Sequence, residues 1–114
     1  SIYDKTHVIE INNSEMNAYE IDPKDYFICN STIADIKVNN ADQSLKMMLS
    51  VIKNKDTPAR MISLLNAAAL VYISGKSETI SDAVKICENA LKSKSVDIKV
   101  NELVKLTNSF ENVK

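Results

Sequence analysis

One glycine, two prolines, one histidine, one arginine and no tryptophan in 114 residues remove several kinds of chemistry at once. Loops that cradle phosphate need several glycines so that the backbone can approach the ligand, which excludes such a loop within this chain. Only two cysteines are present, Cys29 and Cys87, far apart and each among apolar neighbours. That is the pattern of buried reduced thiols, and no disulfide is expected between them. A catalytic thiol would need a basic partner, and the only histidine, His7, lies inside a strand-like run. Fourteen lysines and arginines against fifteen aspartates and glutamates leave a net charge of −1, so no global field draws nucleic acid or an anionic membrane. The longest apolar run, Met61 to Ile73, is interrupted by Ser63 and Asn66 and falls short of the roughly 20 residues that a bilayer span needs. No charged segment followed by an apolar stretch opens the chain, so a signal peptide is not expected and a cytoplasmic location is.

What is present divides into strands, then helices. Residues 6–11 (THVIEI) and 16–21 (MNAYEI) are short, β-rich and partly alternating, with the polar Asn12, Asn13, Ser14 and Glu15 as a loop between them. They read as an antiparallel pair whose apolar face needs helices or a larger sheet to cover it. Pro23 ends strand pairing. The cluster Tyr26, Phe27 and Ile28 is expected to set an aromatic anchor against the core.

After Ser31 the period becomes helical. Ser31 or Thr32 can cap a short turn through Ile33 and Ile36. Asn40 with Gln43 makes a capping-box pattern, and Leu45, Met48, Leu49 and Ile52 follow at i, i+3, i+4 and i+7, which predicts an amphipathic helix over 40–54 with Asn54 as a left-handed cap. Thr57 and Pro58 open a second helix, 58–74, and Gly75, the only glycine, closes it in the left-handed region. This helix carries no charge between Arg60 and Gly75, so burial on nearly every side is expected, by more neighbours than 114 residues readily supply. Thr79 with Asp82 caps a third helix, 79–92, striped by Ile80, Ala83, Val84, Cys87, Ala90 and Leu91. Val100, Leu103, Val104 and Phe110 mark a last helix over 97–110. The fold class is thus α+β, a strand pair followed by four to five helices in one domain, residues 1–114.

The chemical candidates each have a plain structural alternative. Glu20, Asp22 and Asp25 form an acidic trio, yet without the oxygen spacing of a calcium loop, and read as a solvated turn. Asn66 interrupts an apolar helix and should be hydrogen-bonded. Arg60 could hold a carboxylate or phosphate with its planar fork, but a surface ion pair is the simpler reading. Met47, Met48 and Met61 read as core filler.

The order of the pieces, THVIEI, AYEIDPKDYFI, the capped helix, TPARMISLLNAAALVYISGK and ISDAVKICENALKS, resembles the C-terminal part of the anthranilate phosphoribosyltransferase family over almost the whole chain. Thr6, His7 and Val8 match a Thr-His-Val strand. Pro23, Lys24, Asp25 and Tyr26 approximate a Pro-acidic-acidic-Phe element. Pro58, Ala59, Arg60, Leu65, Asn66, Ala67, Ala68, Ala69, Gly75 and Lys76 match a Gly-Pro-Ala-Arg turn, a Leu-Asn-Ala-Ala-Ala helix and an Ala-Gly-Lys close. Val38 and Asn39 stand where the family has glycines, and Asn54 where glycine is usual.

The resemblance implies a parent α/β enzyme of tryptophan biosynthesis that transfers a phosphoribosyl group from phosphoribosyl pyrophosphate to the amine of anthranilate, with magnesium neutralising the leaving pyrophosphate. It implies further that the glycine-rich loop, the anthranilate site and a metal-binding Asp-Glu pair just before the position of Ser1 lie in an N-terminal remainder. No catalytic, substrate-binding or metal residue is therefore assigned to this segment, which is expected to be inactive alone and to bind no cofactor. Its partner would be that remainder, in a parent expected to be a homodimer. Two other readings stay open: a related phosphoribosyltransferase or nucleoside phosphorylase, and a non-catalytic helical module that binds a protein.

Overall fold

The computed structural model describes residues 1–28 and 31–110. Two strands open the chain, β1 (Thr6–Asn12) and β2 (Glu15–Ile21), followed by four helices, α1 (Ala41–Ile52), α2 (Pro58–Ile73), α3 (Ile80–Lys92) and α4 (Ser95–Ser109). The class is α+β, as the sequence implies. β1 and β2 pair antiparallel with Thr6 opposite Ile21 and Asn12 opposite Glu15. The loop is tighter than the four polar residues suggest: both strands run one residue further, and only Asn13 and Ser14 turn, at φ of 48° and 71°. Two successive left-handed residues match the twist of the flanking strands, and asparagine tolerates that region.

Local chemistry places the helix ends. Asn40 Oδ1 accepts from the Gln43 amide at 2.9 Å, and Thr57 Oγ1 accepts from the Arg60 amide at 3.2 Å. Thr79 Oγ1 accepts from the Asp82 amide at 3.0 Å and donates to the Asp82 carboxylate at 2.8 Å. Asn54 and Gly75 close α1 and α2 at φ of 54° and 74°. In each closure the next two amides fold back onto the last turn, Asn54 to Val51 and Lys55 to Ser50, then Gly75 to Tyr72 and Lys76 to Val71. These are paired Schellman bonds, and they satisfy carbonyls that a helix end leaves open. Lys94 adopts φ of 61°, turns the chain between α3 and α4, and lets α4 start at Ser95, two residues before the expected 97.

The core lies between α2 and α3. Leu64 and Ala68 pack on Ala83, Val84, Cys87 and Leu91, with Tyr26, Phe27, Tyr72 and Val96 around the margin. Alanines at Ala68 and Ala83, both fully buried, let the two helices approach closely. The tilted pair Tyr26 and Phe27, centroids 6.4 Å apart, supplies the expected aromatic anchor. Ile28 does not join it and is exposed.

Several expectations of burial fail in one direction. Leu70 and Ile73 of α2 are 65% and 74% exposed, so the uncharged helix is covered along one side only. The α1 stripe meets little: Ile52 is buried, whereas Leu45, Met48 and Leu49 are largely exposed, and Met48 is therefore not core filler. Leu103 and Val104 of α4, and Phe110 just past its end, are exposed. The physical reason is supply of partners, because those residues are apolar at helical spacing but the described elements beside them leave them uncovered.

Size measures agree. The Cα radius of gyration is 16.5 Å, against about 13 Å for a compact domain of this length. The accessible surface is 8583 Å², against about 6,200 Å² for a folded monomer of this mass. An excess of about 2,300 Å² is the area of an extensive protein interface.

Candidate functional site

The hairpin stands over α2 with a cleft of about 340 Å³ between them, lined by Val8, Glu10 and Tyr19 from the strands and Leu65, Ala69 and Tyr72 from the helix. Strand alternation turns Thr6, Val8 and Glu10 toward α2, leaving His7, Ile9 and Ile11 on the exposed face. A carboxylate on an apolar inner face needs partners. Glu10 has two. Tyr72 Oη donates to its Oε1 at 2.9 Å and Oε2 at 3.1 Å, and Tyr19 Oη donates to Oε2 at 3.2 Å. This three-residue cluster ties both strands to α2.

Its chemistry is that of a fastener. The hydrogen bond to the Glu10 carboxylate, with burial second, raises the Tyr72 hydroxyl above its ordinary pKa. Burial, then the bond to Glu10, raises Tyr19. Both phenols stay protonated at neutral pH and act as donors, so neither serves as a base or nucleophile.

The residues singled out from sequence lie elsewhere and do not converge. Arg60 makes the expected ion pair but at a largely buried position: its side chain is 13% exposed, Nε donates to Asn54 Oδ1 at 2.7 Å, and Nη2 reaches Glu88 Oε1 at 3.4 Å. The guanidinium thus links the α1 closure, the start of α2 and the flank of α3. Asn66 is exposed and bonds within its helix, Nδ2 to the Ile62 carbonyl at 2.8 Å. Of the acidic trio, Glu20 pairs with Lys5 at 2.9 Å and His7 at 3.2 Å, and Asp22 accepts from the Lys24 amide at 3.0 Å. Lys5 holds the Glu20 carboxyl below its usual range. Only Asp22 and Asp25 lie in the expected turn, whereas Glu20 belongs to β2 and pairs across the hairpin.

Cys87 is a free thiol buried in the core, and desolvation pushes its pKa up, which suits an inert packing group. Cys29 falls outside the described residues. Among the described residues no group of three or more His, Cys, Asp or Glu is placed to hold a metal ion. No helix among them is long and apolar enough to cross a membrane.

Glu10, Tyr19 and Tyr72 escaped the sequence reading. The alternation of THVIEI could have flagged Glu10 as a carboxylate sharing the inner face with Val8. Nothing local pairs it with Tyr72, 62 residues away.

The glycosyl transferase family, a/b domain, matches residues 1–95. The chain belongs to this family. Among similar relatives in the glycosyl transferase family, the anthranilate phosphoribosyltransferase of Nitrosomonas eutropha is 33% identical over 105 residues, taking in 92% of this chain and 31% of the relative. That of a Marinomonas species is 35% identical over 112 residues, 96% of this chain and 32% of the relative. That of Burkholderia cenocepacia is 34% identical over 106 residues, 93% and 31%. The chain therefore spans about a third of the length of the curated relatives it matches.

Proposed function

We propose that these residues are the C-terminal scaffold of an anthranilate phosphoribosyltransferase of tryptophan biosynthesis, whose reactive groups lie in the remaining part of a longer polypeptide. The supporting observation is the identity of 33 to 35% to enzymes of that name along nine-tenths of this chain. The uncovered faces of the hairpin, α1, α2 and α4 fit the same reading, because a domain cut through its core leaves apolar side chains on the cut surface.

The reaction proposed for the whole enzyme displaces pyrophosphate from phosphoribosyl pyrophosphate by the amine of anthranilate. Departure of a polyanion calls for cations and convergent N–H donors at the leaving group. Magnesium is assigned to the remainder on the resemblance alone, which puts the metal-binding Asp-Glu pair just before the position of Ser1. The contribution of this segment is positional: the Glu10 cluster fixes the hairpin on α2, and the Arg60 contacts fix α1 and α3 about the start of α2. The assembled enzyme is proposed to act in the cytoplasm as a homodimer.

Anthranilate fluorescence followed with phosphoribosyl pyrophosphate and magnesium tests the reading. The longer polypeptide should consume anthranilate and the 114-residue chain should not. Turnover by the 114 residues alone would refute the scaffold role. Turnover of a nucleoside or another acceptor, with anthranilate untouched, would refute the substrate assignment and leave a related transferase.

A further inference from the structure

No further inference is drawn: the strongest candidate, the recess of about 370 Å³ between the closure of α1 and the start of α4, lined by Lys53, Lys92, Lys94 and Asp97, rests on exposed lysines beside a helix N-terminus, and no buried polar side chain lines it.

Discussion

Truncating one leucine on each side of α2 measures how much of that helix the chain itself covers. Leu64 is 2% exposed against Ala83, Val84 and Cys87, whereas Leu70, six residues further along and on another side of the same helix, is 65% exposed. Leu64→Ala removes a buried isobutyl group and leaves a cavity between two helices, a loss of about 3 kcal/mol within the usual span of 2 to 5. With a urea slope of about 1.5 kcal/mol per M, the midpoint falls by about 2 M. Leu70→Ala gives up roughly a third of the burial of one leucine and gains a little from the helix preference of alanine, a net loss below about 0.5 kcal/mol. Urea titrations followed by far-ultraviolet circular dichroism read both variants on one scale, and Leu64→Val, expected to cost about 1 kcal/mol, gives a milder step should the alanine variant unfold outright. Equal losses at the two positions would refute a helix covered on one side. A loss below about 1 kcal/mol for Leu64→Ala would refute the placement of the core between α2 and α3.

Other perturbations probe the ends of α2 and the Glu10 cluster. Thr57→Ala removes the acceptor of the Arg60 amide and should cost about 1 kcal/mol, seen as a lower melting temperature, with no change counting against the assigned start of α2. At Gly75, φ is 74° and an added Cβ meets nothing within 4 Å, so Gly75→Ala should cost about 1 kcal/mol through backbone conformation alone, and Gly75→Asn less. A fully neutral outcome for the alanine variant would contradict the left-handed closure. Because Tyr19 and Tyr72 have raised pKa values in the folded state, the cluster stabilises fully below the ordinary tyrosine value of about 10, and that stability fades as pH climbs through the raised values. Glu10→Gln removes the negative charge, so phenolate absorbance should develop at lower pH than in the wild type. An unshifted titration would remove Glu10 as the cause.

The features that sequence reading captured are set by neighbours in the chain. Thr57 followed by Pro58, Thr79 with Asp82, and the lone Gly75 fix backbone geometry within four residues, so they can be read without knowing the fold. Asn54 belongs with them, since its left-handed closure depends on its own side chain and the last turn of α1. The turn between the strands was blurred because Asn13-Ser14 lacks the glycine that usually announces a two-residue hairpin. Burial was misjudged for α2 because an uncharged helix offers no polar face from which to infer direction. The α1 and α4 stripes were read correctly as apolar, but periodicity reports that a face wants cover and not whether these 114 residues provide it. Arg60 with Glu88 and Glu10 with Tyr72 are non-local pairs, and single-residue chemistry gives no partner across 28 or 62 positions.

Methionine oxidation tests most directly whether the uncovered faces are the cut surface of a larger glycosyl transferase domain. Met16 on the hairpin and Met48 on α1 are 71% and 48% exposed. Dilute peroxide followed by peptide mass spectrometry should convert both to the sulfoxide quickly in the 114-residue chain, and at least about tenfold more slowly in the longer polypeptide, where apolar contacts shield the sulfur. Equal rates in the two would show that these faces meet water in the whole protein as well, and would contradict the account.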